Sequence, residues 1–464
     1  MNAPLLAYYG DDFTGSADVM EVLQWAGLRT VLFLAPPTPD DLARFDNLRA
    51  FGIAGHSRSL STAELESEIG PVIKALRQSH PRFVHYKVCS TFDSSPEIGS
   101  IGRALEIGRE ICGTRTVPIV IAAPQLGRYQ VFGNLFARSG LETEPFRLDR
   151  HPTMRQHPIT PMNEADLRLH LANQTQLPVG LCDVLRLQQA RQTGNGLSSS
   201  LNENDAACLF DLLVEADLPL IGRELDDLAR TQSPLFTVGS SGVEYALTAH
   251  WEETGELASL QSHASGRPQF PAVEQLLAIT GSCSPVNDRQ IGHAEKYGFV
   301  TIPVHTSKLV HNTCAESETE KVVCSALDAL RSGENVILHS ARGPGDARVA
   351  ETTEALKSLG MSDLDVKLHS GGYIGPKLGQ ILKRIVAEHP LPRLGVAGGD
   401  TSGFIARELG ITALEAIAPV APGSPLCKAH AENSLDGTEI FFKGGQVGRD
   451  DVWTTMLHGT ANQT

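Results

Sequence analysis

The sequence predicts an α/β fold of two domains, each a largely parallel sheet with flanking helices, and an active site in the cleft between them. Three observations lead there. Short apolar runs alternate with longer amphipathic stretches along the whole chain. Glycine-rich turns recur where an apolar run gives way to a helical pattern, the place where parallel sheets collect ligands. A polar stretch over 250–271, without apolar period, separates two such series and reads as a linker between domains 1–249 and 272–464. The 464 residues leave room for two or three domains.

The elements of the first domain follow in order. Residues 5–9 read as a strand, and 13–25 as a helix through Ala17, Val19, Met20, Leu23 and Trp25. Strands follow over 30–34 and 50–54. Ser61-Thr62-Ala63-Glu64 is a capping-box pattern that opens a helix to about Gln78. Strands over 83–89 and 117–123 flank a helical pattern over 98–111. From 126 to 162 prolines, glycines and polar residues dominate, so a long irregular connection is expected there. Regularity resumes at 164–171 and continues in short β/α units through Ala246. In the second domain strands are expected over 276–280, 299–304, 336–339, 366–369 and 394–397, and helices over 314–331 and 376–386.

Composition narrows the function. With 41 % hydrophobic and 20 % charged residues the chain is globular. Its net charge of −15 disfavours nucleic acid and anionic membranes as partners. The longest strand-like apolar run, 117–123, falls far short of the ~18 residues of a membrane span. Asp11 and Asp12 interrupt any export-signal core. Eight cysteines without a Cys-x-x-Cys pair suit reduced thiols in a cytoplasm. A cytoplasmic enzyme is therefore expected. His151 and His157 fall in the irregular connection and read as solvated rather than metal-binding, so no metal site is assigned.

Four turns have the composition that cradles phosphates: 239–242, 281–284, 370–372 and 398–403. At such a turn the first helical N–H groups lack intrahelical partners and the helix dipole favours negative charge. The bland alternative is tight strand–helix packing, which also selects glycine. No Gly-x-x-x-x-Gly-Lys-Ser/Thr loop is present, and Arg348 stands where a dinucleotide fingerprint beginning at Gly343 needs its last glycine. In the first domain, Asp11 and Asp12 lie within Gly10-Asp11-Asp12-Phe13-Thr14-Gly15, between strand and helix. They suit substrate hydroxyls or general-base work, or else cap the helix. Arg58 offers a fork for a carboxylate, and Lys87 precedes a row of hydroxyls ending beside Asp93. A carboxylate-bearing polyol matches this mixture.

These segments, together with His157-Pro158-Ile159-Thr160-Pro161-Met162, stand in the order seen in the four-carbon acid sugar kinases, and the sequence resembles that family over about residues 4–450. The resemblance implies a sugar-acid-binding N-terminal domain and an ATP-binding C-terminal domain. It puts Asp12, Arg58, Lys87, Val88, Cys89 and Ser90 at the acid pocket, where the carboxylate-pair reading adds Asp11. It puts Ser282, Ser284, Gly398, Gly399, Asp400, Thr401, Gly444 and Gly445 against the nucleotide, with Gly444 where serine is usual. Asp12 is the expected base, ahead of Asp93, and Asp400 the group nearest Mg²⁺ on ATP. At Lys87 many threonate and erythronate kinases carry Lys-Lys-x-Asp-Ser-Thr-Leu-Arg-Gly. This chain carries Lys87-Val88-Cys89-Ser90-Thr91-Phe92-Asp93-Ser94, similar to members acting on 3-oxo acids. The continuation over 95–102 and the chain length depart from the 3-oxo-tetronate kinases. The expected substrate is thus 3-oxo-isoapionate, then 3-oxo-tetronate, with threonate or erythronate as alternatives. Two competing classes are a non-catalytic sugar-acid or nucleotide binder and a dehydrogenase. A homodimer is left open.

Overall fold

The computed structural model describes residues 3–139, 144–157, 159–197, 202, 204–261 and 267–461, with only the backbone of Asn312 and Asp400. The chain forms two compact units, residues 1–31 with 35–266, and residues 32–34 with 267–464. Each is described by itself.

The first unit is built on seven parallel strands: β1 (Leu6–Gly10), β3 (Ala50–Ala54), β4 (Phe83–Lys87), β5 (Val117–Val120), β9 (Val179–Cys182), β10 (Ala207–Phe210) and β11 (Leu235–Gly239), in the order β3-β1-β4-β11-β5-β10-β9. All of these strands except the edge strand β9, which is largely half-buried, are buried along their whole length, as parallel sheets covered on both faces require. The chain leaves β1 toward β3 on one side and returns to β4 on the other. That reversal opens a crevice at the carboxyl ends of β3, β1 and β4. Between β1 and β3, strand β2 (Thr30–Phe33) passes Leu32 and Phe33 to the second unit, where they pair antiparallel with a later strand.

The long connection over 126–162 is not irregular throughout. It contains a small antiparallel sheet of β6 (Arg128–Val131), β7 (Asn134–Arg138) and β8 (Pro145–Arg147). β7 alternates buried and half-buried positions, the mark of a strand with one wet face. The tight turn Phe132-Gly133 has φ of 50° and 79°, as two-residue hairpins need, although phenylalanine adopts it at a steric cost. The Asp211 carboxylate accepts both turn amides, from Phe132 at 2.5 Å and Gly133 at 2.9 Å. Residues 140–143 and Pro158 of this stretch lie outside the described residues. The stretch expected as linker begins inside the helix Gly242–Glu253, where His250 and Trp251 are buried. Residues 262–266 of it lie outside the described residues.

The second unit has β12 (Leu277–Thr280), β13 (Phe299–Pro303), β14 (Asn335–His339), β15 (Arg393–Ala397), β16 (Ile411–Ala421), β17 (Ser424–Ala431) and β18 (Glu439–Lys443), in the order β13-β14-β12-β15-β18-β17-β16. The first five are parallel; β17 and β16 are antiparallel additions. The chain again reverses at one strand, β12, between β14 and β15. Trp453 and Phe441 fix the core beneath, edge to face at 6.1 Å.

The strand expected over 366–369 is wrong. Those residues lie inside the helix Asp363–Glu388, opened by a Ser362–Asp365 capping box. Gly371 and Gly372, expected as a phosphate turn, lie inside the same helix and form no turn. A β-carbon on Gly375 would come within 2.6 Å of Phe404 Cβ, and one on Gly379 within 2.6 Å of Glu408 Cβ. They let this helix lie close against the helix Gly399–Glu408. The 239–242 turn likewise serves packing: a β-carbon on Gly239 would meet the Val120 carbonyl at 2.2 Å, and Ser240 Oγ donates to the Ile121 carbonyl at 2.7 Å.

Candidate active site

At the crevice of the first unit, three strand ends deliver the polar residues. β1 ends in Asp11 and Asp12, and the Asp11 amide donates to the Lys87 carbonyl at 2.9 Å. After β3, Arg58 lies in a single 3-10 turn, its amide donating to the Asp11 carbonyl at 3.1 Å. Its guanidinium grips Asp11 with two bonds, Nε to Oδ2 at 3.1 Å and Nη2 to Oδ1 at 2.7 Å, and Nη2 also reaches Asp12 Oδ1 at 2.9 Å. Asp12 caps the helix Phe13–Trp25 through the Gly15 amide at 2.9 Å and accepts the Thr14 hydroxyl at 2.7 Å. The capping reading therefore holds for Asp12, whose carboxylate also meets Arg58. Lys87 is buried at the end of β4, its Nζ 3.9 Å from Asp18.

The two adjacent carboxyls are driven apart. Burial raises Asp11, opposed by the Arg58 charge and reinforced by that of Asp12. Burial acts on Asp12 too, but Arg58, Lys87 and the bonds from Thr14 and Gly15 outweigh it and hold Asp12 below the ordinary range. Asp12 is the readily ionised member of the pair.

The residues after β4 make a tight turn. The Phe92 amide donates to the Cys89 carbonyl at 2.9 Å, and Phe92 sits at φ 59°, a strained conformation for a bulky side chain. The buried ring packs edge-on against His170 at 5.9 Å, which holds it there. The turn leaves Asp93 buried, with Oδ1 lacking any hydrogen-bond partner. A buried carboxylate oxygen without a donor points to a donor supplied by a ligand. Val88 is enclosed, and its amide is committed to the Gly239 carbonyl at 2.7 Å. Ser90 is half-buried. Burial, and next the Asp93 charge, push the Cys89 thiol up, so it is protonated and unreactive at neutral pH.

In the second unit the turns after β12, β15 and β18 come together. Ser284 caps the helix Pro285–Lys296 through the Asn287 amide at 3.1 Å, and its hydroxyl donates to the Gly445 carbonyl. A β-carbon on Gly445 would lie 2.2 Å from Ser282 Oγ. Gly398 has φ 148° and precedes the helix Gly399–Glu408, whose first amides receive no side-chain cap. Thr401 Oγ1 is nine-tenths buried, without a partner, and lies where β-carbons on Gly398 or Gly281 would collide with it. Uncapped amides, an orphaned hydroxyl and glycine-lined backbone fit a phosphate group. The Asp400 side chain lies outside the described residues. Lys443 ends β18, opposite Ala397, and its carbonyl accepts the Gly398 amide at 3.0 Å.

Sequence reasoning assigned only the two glycines that follow Lys443. It placed Asp93 behind Asp12, because a turn at positive φ on Phe92 leaves no mark in composition. Among the described residues no group of three or more metal-ligating side chains is gathered, and no helix is long and apolar enough to cross a membrane.

Known proteins agree with this division. The family model of a sugar-binding N-terminal domain matches residues 6–247, and that of a nucleotide-binding C-terminal domain matches 277–453. A 3-oxo-isoapionate kinase of Paraburkholderia graminis is 44 % identical over 445 residues, covering 96 % of this chain and 92 % of that protein. A 3-oxo-tetronate kinase of Pseudomonas fluorescens is 29 % identical over 462 residues, 98 % of this chain and 96 % of that one. A solved structure from Salmonella typhimurium LT2, titled a putative tRNA synthase, shares the fold with a TM-score of 0.74 at 24 % identity, covering 97 % of this chain and 98 % of the other.

Proposed function

We propose, since the chain belongs to the four-carbon acid sugar kinase family, that it transfers the γ-phosphoryl group of ATP to a hydroxyl of 3-oxo-isoapionate. The observation that carries the substrate is the 44 % identity, over 96 % of the chain, to a kinase named for that acid. The lower identity of 29 % to a 3-oxo-tetronate kinase makes that acid the second candidate.

The site residues take roles consistent with their geometry. Arg58 keeps Nη1 free of the carboxylates that hold its Nε and Nη2, and with Lys87 it receives the substrate carboxylate. Asp12, ionised, orients the attacking hydroxyl and takes its proton as the bond to phosphorus forms. The orphaned Oδ1 of Asp93 accepts a second substrate hydroxyl. In the second unit the phosphates meet the amides after Gly398, the Thr401 hydroxyl, Ser282 and the Gly444-Gly445 turn; Ser284 acts by holding that turn in place. Mg²⁺ supplies charge neutralisation on the phosphates, with Asp400 as the carboxylate at that turn. Phosphoryl transfer rests on positioning and electrostatics rather than covalent chemistry, which is what these groups supply.

The test is ADP release from ATP and Mg²⁺ with 3-oxo-isoapionate, 3-oxo-tetronate, D-threonate, L-threonate and D-erythronate. Highest kcat/KM with 3-oxo-isoapionate is expected. A preference for threonate or erythronate over both oxo acids would overturn the substrate reading.

A further inference from the structure

The second unit encloses a cation that has no counter-ion among the described residues. Lys443 is fully buried at the end of β18. Its Nζ makes one hydrogen bond, to the Gly444 carbonyl at 3.1 Å, and lies 6.0 Å from the centre of the Trp453 ring. It has no ion pair among the described residues. An ammonium offers three donors, and burying it with one acceptor and no counter-ion is unfavourable. The ring face offsets part of that cost. An unbranched apolar side chain of the same length would fill the space without it.

The position of this lysine indicates what completes its shell. β18 pairs in parallel with β15, and Lys443 stands opposite Ala397, the last residue before the Gly398–Thr401 turn. The Gly398 amide is bonded to its carbonyl at 3.0 Å. Two residues on, Gly445 lies against Ser282 and accepts the Ser284 hydroxyl. The backbone of Lys443 thus stands where the three phosphate-suited turns converge, bonded to Gly398, whose β-carbon position lies against the orphaned hydroxyl of Thr401.

We propose that the Lys443 ammonium is a direct ligand of the ATP phosphates and the principal cation this unit supplies to the nucleotide. The inference rests on the reading of the unit as ATP-binding. Burial brings this lysine down to about 7, with no charged neighbour contributing among the described residues. The elements around it explain that. β15 offers Ala397 and the turn after it Gly398, and the helix Val452–His458 turns Trp453 toward it while its only titratable residue, His458, is exposed. The 281–284 turn carries only the exposed Cys283 as a titratable group. In the helix Gly399–Glu408, Asp400 is described by its backbone alone, and Arg407 donates to the Leu34 carbonyl at 3.4 Å. At pH 8 the free amine is mostly neutral, and a polyanion beside it restores the proton. ATP binding therefore takes up close to one proton at pH 8, and affinity falls about tenfold per pH unit above about 7.

The experiment is calorimetric titration of the full-length protein with ATP at pH 8, in two buffers of different ionisation enthalpy, for wild type and Lys443→Met. Wild type is expected to take up close to one proton more than the variant, which subtracts the nucleotide's own titration. The variant is expected to bind ATP on the order of 10- to 100-fold more weakly. Its thermal midpoint without nucleotide should equal or exceed that of wild type, whereas a lysine kept for structure would lower it. Equal affinity in the two proteins, or equal proton uptake, would overturn the proposal. Absence of ATP binding by wild type would instead remove the ATP reading of the unit, and this inference with it. Should the variant not fold, a pH-independent wild-type affinity for ATP between pH 7.5 and 9 would overturn the proposal.

Discussion

Arg58 grips Asp11 with two nitrogens and touches Asp12 with one of the same two, so a single guanidinium holds both carboxylates after β1. Only Nη1 is left for a substrate. Arg58→Lys replaces a planar fork by a point charge, which cannot reach both Asp11 oxygens and Asp12 together. The buried Asp11 then loses a donor, at a cost on the order of 1–3 kcal/mol in stability. The KM for the sugar acid should rise while the KM for ATP holds. Denaturant unfolding and steady-state kinetics of one variant read both effects. A loss of stability with unchanged acid KM would confine Arg58 to holding the carboxylate pair.

Asp12→Asn separates capping from chemistry. Asparagine caps a helix as well as aspartate, so the bond to the Gly15 amide survives. The charge that the hydroxyl proton needs does not. Turnover should fall on the order of 100-fold or more, with little change in the thermal midpoint. Near-full turnover by a folded variant would transfer the proton-accepting role to Asp93.

What the sequence made legible follows from periodicity and chain order. The parallel strands were readable because burial on both faces writes an apolar run, uninterrupted in Val117–Val120 and broken only by Thr237 in Leu235–Gly239. The 366–369 error arose because Val-Lys-Leu-His carries no period long enough to separate strand from helix, and the capping box at Ser362 and Asp365 was the signal that could have decided it. β16 and β17 went unread because Pro419, Pro422 and Pro425 break their runs, although the strands pair with bulges around them. At the site, residue types and order identified Asp11, Asp12, Arg58 and Lys87. Their pairing was invisible, since residues 46 and 47 positions apart meet only through the sheet. Lys443 was hidden by the opposite problem: nothing in its neighbours in sequence reveals that the fold encloses it.

Gly445→Ala tests the convergence of turns in the second unit. The new methyl would lie 2.2 Å from Ser282 Oγ and 3.0 Å from Ser282 Cβ, so one of the two turns must move. Such overpacking costs about 1–3 kcal/mol, and a loss at the low end of that range is roughly tenfold in affinity. The KM for ATP should rise by about that factor and the KM for the sugar acid should not. Equal effects on both substrates would detach the 444–445 turn from the nucleotide.

Acid sensitivity has an assignable source in His339. It is buried at the end of β14, and Arg348 donates from Nη2 to its Nδ1 at 3.0 Å, leaving the proton on Nε2. Burial, then the Arg348 and Arg342 charges, bring it down to about 4. The unfolded chain binds a proton near pH 6.5, whereas the folded protein does not until about pH 4. The stability this residue contributes is therefore complete above pH 6.5 and is lost as pH falls through 4. The slope is roughly 1.4 kcal/mol per pH unit, on the order of 3 kcal/mol across the window. His170, brought to about 4 by burial, adds a second proton of the same sign. His339→Asn keeps an acceptor for Arg348 and removes the titration. Urea unfolding at pH 7, 6 and 5 should give the variant a dependence shallower by about one proton. Parallel curves for the two proteins would mean that His339 titrates alike in the folded and unfolded chain.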